Sequence, residues 1–213
     1  AATASPSRGR ARPGRKPARR DAPAGREAIV AALVEAATRL FAASGPDGVA
    51  LRAVADEARV NYGLIHQYVG SKDDLLQLVL RTVSERSARL FEEAEGLDGA
   101  IDQLFGNEVP GFVPMLAWAL LQGRDARELL GRSPALQALA DRTSDRTAER
   151  EGDREDERAA RLAAVVSMAL GWHLFGGFVA AGVGRSDPDG LTPDLKKLAT
   201  SILAELEDPA RET

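Results

Sequence analysis

The stretch "VNYGLIHQYVGSKDDLL", Val60 to Leu76, constrains the fold more than any other. Asn61 is a good helix N-cap, because its side-chain oxygen can accept from a free amide of the first turn. Ile65 and Val69 stand four apart and share one face, with Val60 below them. Tyr62, Gly63, His66 and Gln67 then face the other way, with Leu64 and Tyr68 at the flanks. Gly70 ends this helix. Ser71-Lys72-Asp73-Asp74 reads as a capping box that opens the next, with Asp in place of the commoner Glu. A helix this short is not stable alone. It must rest its apolar side on neighbours and leave its polar side for something else.

The neighbours are legible upstream. A first helix is expected over about residues 25–44, with Ile29, Leu33, Ala36, Ala37, Leu40 and Phe41 on one face. Gly45-Pro46 stops it and Asp47-Gly48 turns the chain. A second helix covers about residues 51–58 with Val54 and Ala55 inward, and Arg59-Val60 makes a tight turn into the third. Two helices joined this tightly, on a supporting helix, form a helix-turn-helix. In that motif the second helix enters the major groove of DNA. Its inner face must be small and apolar, and its outer face must carry donors, acceptors and flat groups. The third helix here meets both demands, as an ordinary short amphipathic helix also would.

The chain of 213 residues is long enough for one large domain or two small ones. Abundant Ala and Leu with few β-branched runs point to an all-α fold. There is no Cys, which excludes disulfides and thiolate metal sites and suits a reducing, cytoplasmic setting. A fourth helix is expected to about residue 95, with Leu75, Leu76, Val79, Val83 and Leu90 on its stripe. Shorter helices follow at about 98–107, 111–122 and 124–140, with breaks near Pro110 and Pro134. Residues 141–158 carry thirteen charges in eighteen positions, fitting a solvated helix or a mobile connection equally. A long apolar helix at about 156–184 and an amphipathic one at 192–207 complete the chain. Within the former, Leu162 to Val183 is long and apolar enough to span a bilayer. The alternatives are a membrane-associated helical protein anchored by 162–183, or a helix buried in protein; helices on both sides favour burial.

Charge is unevenly spread. Residues 1–26 hold eight basic residues against Asp21 alone, a net +7, which leaves −11 on the rest of a −4 chain. Residues 1–24 read as a disordered basic arm. Its partner is a polyanion, unless it merely solubilises. It lacks the apolar core of a secretory signal, and its Pro and Gly would break the helix of a transit peptide. The histidines, His66 and His173, are 107 positions apart, and no phosphate loop, dinucleotide fingerprint or nucleophile elbow is present. No catalytic residue, cofactor or metal site is expected.

The segment "ALRAVADEARVNYGLIHQYVGSKDDL", Ala50 to Leu75, resembles the DNA-binding domain of the TetR family of transcriptional regulators. The match rests on Val54, Ala55, Ala58, Val60, Ile65, Ser71, Lys72 and Leu75, joining the reader helix to the Ser-Lys opening of the fourth helix. The family's Thr cap is Ala50 here, its turn Gly is Arg59, its Tyr falls at His66 and its Phe is Val69. The resemblance implies a three-helix helix-turn-helix domain at 25–70, followed by a helical effector-binding and dimerisation domain at 71–213. It implies a regulator, expected to be a repressor, released from a palindromic operator by a small-molecule effector.

Site roles follow from the resemblance. Arg52 would reach a phosphate or guanine edge. Asn61 begins the reader helix; Tyr62, Gly63 and Gln67 would face bases. His66, Tyr68 and Lys72 would hold phosphates, although Tyr68 could equally pack on the first helix. The last two helices, about 156–184 and 192–207, resemble the family's dimerisation pair, with Gly171, Gly176, Gly177, Ala180 and Ala181 allowing close approach. Phe105, Phe112, Met115, Trp118, Leu121, Trp172 and His173 fall where the family binds effectors. They line a pocket or simply fill the core.

Overall fold

The computed structural model describes Pro23 and residues 25–106, 111–143 and 153–204. The basic arm, half of the charged run (144–152) and the expected last turn beyond Ala204 lie outside the described residues. Among the described residues there are ten α-helices and no strand. The all-α expectation holds.

The helix-turn-helix forms as its periodicity requires. Helix α1 (Arg26–Gly48) buries Ile29, Leu33, Ala36, Ala37 and Phe41. Its regular course breaks at Gly45 (φ 68°), where Pro46 starts one further turn. Helix α2 (Leu51–Glu57) buries Val54 and Ala55, and Ala50 supplies no side-chain cap. Arg59, at the turn, has φ 58°, a left-handed conformation that costs a non-glycine residue about 1 kcal/mol. Helix α3 (Gly63–Tyr68) is anchored by Ile65, which is wholly buried among Val54, Phe41 and Leu75 in one cluster.

Helix α4 (Lys72–Glu93) starts on the expected capping box. Its first half, Leu75 to Val83, lies in the same cluster as α1–α3. Its second half, Ala88 and Phe91, joins a second cluster with Ala138, Leu139 and Val166. One rigid helix therefore belongs to both halves of the molecule. Arg142 closes its far end, donating from Nε to the Phe91 carbonyl at 2.8 Å and from Nη2 to that of Glu92 at 3.2 Å. A cation there also favours the helix dipole.

The remaining helices are α5 (Gly96–Phe105), α6 (Phe112–Leu121), α7 (Ala126–Leu130), α8 (Pro134–Thr143), α9 (Asp153–Gly182) and α10 (Thr192–Ala204). The single helix expected at 124–140 is two, α7 and α8, parted at Gly131 (φ 61°) before Pro134. Gly111 (φ 82°) brings the start of α6 so close to α1 that a Cβ would lie 2.5 Å from that of Ala42. Ile101 and Phe105 of α5 pack with Val165 and Ala169 of α9 and with Ala199 and Leu203 of α10.

Candidate nucleic-acid interface and a cavity

The reader surface is built from α2, α3 and the start of α4. Asn61 Oδ1 accepts from the Gly63 amide at 2.9 Å, which satisfies a free donor of the first turn of α3. Tyr62 is 41% exposed, and Gly63, His66 and Gln67 are exposed beside it. The Tyr62 hydroxyl lies 3.2 Å from His66 Nε2, with the rings edge to face at 5.2 Å. These two side chains thus order one another on the outer face. Tyr68 is half-buried against the α1–α4 core, so packing is at least part of its role. Arg52 is exposed on α2. Lys72 Nζ donates to the Asp47 carbonyl at 3.4 Å, a bond linking the start of α4 to the last turn of α1.

The surface has a weak point in charge. Residues 27–75 contain four basic and seven acidic residues, a net −3. Arg39 is further neutralised by Glu57 at 3.2 Å, which ties α1 to α2, and by Glu35 at 2.8 Å; the hydrogen bond to Glu57, then that to Glu35, raises its pKa.

A cavity of about 260 Å³ lies between α4, α5, α6, α8 and α9. Of the seven side chains expected to form a pocket, Phe112 and His173 line it. The other five do not. Phe105 is buried between α5, α9 and α10. Met115 points into the core under α1 and α4. Trp118 packs on that same core and donates from Nε1 to Asp47 Oδ2 at 3.0 Å. Trp172 donates to Thr192 Oγ1 at 3.0 Å, pinning α9 to α10. Leu121, at the end of α6, is 87% exposed. Phe105, Met115, Trp118 and Trp172 thus pack in or against the core, the second of the two readings; on α6, apolar all round, composition does not say which residues turn to the cavity and which to α1. Sequence reasoning passed over Gln103 and placed Leu90 only on the stripe of α4; both line the cavity. A lone Gln among the apolar positions of α5 was the available signal for the first.

Helix α9 presents a second surface. It buries Val165, Ala169, Gly176 and Ala180 inward and exposes Leu174, Phe175, Phe178 and Val179, with Val183 exposed just beyond its end. Phe178 is 81% exposed, and on α10 Leu198 is also turned outward. An apolar stripe of this kind marks a missing partner. By length and composition α1 and α9 could each cross a membrane, but α1 spends its apolar face on the reader core. Among the described residues no group of three or more His, Asp or Glu could hold a metal.

Residues 33–79 match the family model described as "Bacterial regulatory proteins, tetR family". Over 188 residues the chain is 33% identical to the HTH-type transcriptional repressor Rv3405c of Mycobacterium tuberculosis, covering 86% of this chain and 90% of that protein. The HTH-type transcriptional regulator Mb3439c of Mycobacterium bovis is similar to the same extent. Among solved structures, a HlyIIR mutant carrying a linker with two thrombin sites aligns at a TM-score of 0.52. It is 16% identical, and the alignment covers 86% of this chain and all of that one, a likeness of fold.

Proposed function

The chain belongs to the TetR family of DNA-binding transcriptional regulators, whose members act as dimers, and from that premise we propose that it is a repressor of a palindromic operator, released by a small-molecule effector. The observation that carries the DNA reading is α3. Its inner face is committed to Ile65, and Tyr62, Gly63, His66 and Gln67 stand outside with no core to serve. In this reading Tyr62 and Gln67 meet base edges, and Gly63 lets the backbone approach them. Asn61 holds the start of the reader, and Arg52, His66, Tyr68 and Lys72 hold phosphates. Residues 25–70 serve as reader and 71–213 as controller, with α4 common to both.

The exposed stripe of α9, together with Leu198 of α10, seats a second copy, forming a four-helix bundle. Two readers about 34–36 Å apart then face successive major grooves. The cavity holds the effector. Its occupation favours a dimer whose readers are wrongly spaced for DNA. The repressor sign follows the name of the Mycobacterium tuberculosis relative. The protein works in the cytoplasm, where its DNA is, and carries out no catalysis of its own.

Selection of bound duplexes from a random pool tests the proposal. Enrichment of an inverted repeat with half-sites one helical turn apart is the expected result. Recovery of unrelated sequences, or of none at low salt, would refute it.

A further inference from the structure

Resting on the DNA reading above, we propose that Tyr62 is a positioning residue for His66: its hydroxyl donates to His66 Nε2, which places the ring proton on Nδ1 and makes the neutral imidazole a donor to a DNA phosphate. The two residues stand four positions apart, one helical turn, so their side chains share the outer face of the reader segment. Two separate contacts join them. The Tyr62 oxygen lies 3.2 Å from His66 Nε2, and the rings meet edge to face, 88° between planes with centroids 5.2 Å apart. The first contact decides which ring nitrogen is occupied, and the second fixes the plane of the ring. Both residues are exposed, and neither side chain has another hydrogen-bond partner among the described residues. The adjacent Asn61 side chain is already committed to the Gly63 amide at 2.9 Å.

The direction of the bond follows from the two groups. A phenol can donate or accept, but its oxygen lone pair is partly drawn into the ring, so it donates better than it accepts. The unprotonated nitrogen of a neutral imidazole is an acceptor. The stronger arrangement is therefore O–H to Nε2. The bond made by one ring nitrogen sets the protonation of the other, so the ring proton sits on Nδ1. Nδ1 is also the nitrogen left without a partner among the described residues. Phosphate oxygens offer only acceptors, and an Nδ1 without its proton would meet them lone pair to lone pair. With Tyr62 in place the donor is set before DNA arrives, and the ring need not gain a charge. This suits a reader whose cations are partly committed: Arg39 is paired with Glu35 and Glu57, and Lys72 donates to the Asp47 carbonyl. Tyr62 thus acts twice, by its own contact with a base edge and through the tautomer of its neighbour.

Imidazole nitrogen NMR on the full chain with labelled histidine tests the placement at about pH 8, on the neutral side of the imidazole range. The chain has two histidines, so His66→Asn assigns the signals. The wild type is expected to hold His66 mainly in the Nδ1–H form, and Tyr62→Phe to shift it towards Nε2–H. Binding to the duplex enriched by the selection above is the second arm. Asn carries its amide donor near the place of Nδ1, and Gln near that of Nε2, so His66→Asn should bind more tightly than His66→Gln. Tyr62→Phe should weaken binding about fivefold more in the wild type than in the His66→Asn background, the worth of one ordinary neutral hydrogen bond. The slope of affinity against salt should be the same for wild type and His66→Asn, since no charge is removed. An Nε2–H form in the wild type, or a tautomer balance that ignores Tyr62→Phe, would overturn the proposal. So would a Tyr62→Phe loss of equal size in both backgrounds, tighter binding by His66→Gln than by His66→Asn, or a flatter slope in His66→Asn. The tautomer is read without DNA. A chain with the Nδ1–H form that binds no duplex would refute the regulator reading, and one that binds DNA with the Nε2–H form would refute this proposal alone.

Discussion

Ser71 Oγ donates to Asp74 Oδ2 at 2.6 Å and accepts from the Asp74 amide at 3.1 Å, while the Ser71 amide donates to the same carboxylate at 2.8 Å. The Ser71 hydroxyl, and then its amide, hold the Asp74 pKa below its ordinary value. A carboxylate with a depressed folded-state pKa contributes stability that is present above its unfolded pKa and lost as pH falls through the folded one. Ser71→Ala is therefore expected to cost about 1 kcal/mol at neutral pH, the usual worth of an N-cap. The gap from wild type should narrow below about pH 4, where free aspartate protonates. Paired thermal melts across that range check it. A gap that stays constant in acid would contradict the assigned role of the carboxylate. This cap was legible in the sequence because all its bonds span three residues. Gly70 was legible for a related reason, since at φ 114° a Cβ would sit 2.6 Å from Asp74 Oδ2. The partners of Trp118 and Trp172 were not, because Asp47 and Thr192 lie 71 and 20 positions away and only the tertiary fold brings them near.

Helix α6 connects the cavity to the reader by a route that avoids the long axis of α4. Its first turns, Phe112 and Leu116, form cavity wall. Its later residue Trp118 bonds Asp47 in the last turn of α1, whose backbone carbonyl also accepts from Lys72. Just beyond α6, Arg124 pairs with Asp73, and Gln77 donates to the Glu128 carbonyl, so both ends of this segment grip the start of α4. Movement of α6 must therefore be felt at the reader. Trp118→Phe keeps most of the packing and removes the indole donor. Amide hydrogen exchange should then accelerate in the α1–α2 turn, where Val49 donates to Pro46, and stay unchanged in α5 and α10. Uniform acceleration across all three elements, or none altered, would show that α6 carries no such link. The helices themselves were largely readable from period and punctuation. What escaped was the facing of α6 and the split of α7 from α8, because a helix apolar on every side has no phase to read.

Across the whole molecule two asymmetries ask for partners: the apolar stripe of α9, and a reader domain of net −3 behind residues 1–26 of net +7. Phe178 is the most exposed residue of that stripe among the large apolar side chains, so Phe178→Glu should convert the dimer to monomer with little loss of helix content. Sedimentation and circular dichroism together decide this, and a dimer that persists would place the interface elsewhere. Deleting residues 1–20 should weaken duplex binding and flatten its dependence on salt, since fewer counterions are released. An unchanged slope would make the arm a passenger. The central claim is that two copies of α3 read bases in successive major grooves, and its most direct test is the base preference of Gln67→Ala measured beside wild type. The account predicts lost discrimination at one base pair in each half-site, symmetric about the dyad, worth about 1–3 kcal/mol each. Equal weakening on every sequence with the preferences intact, or no change at all, would contradict it.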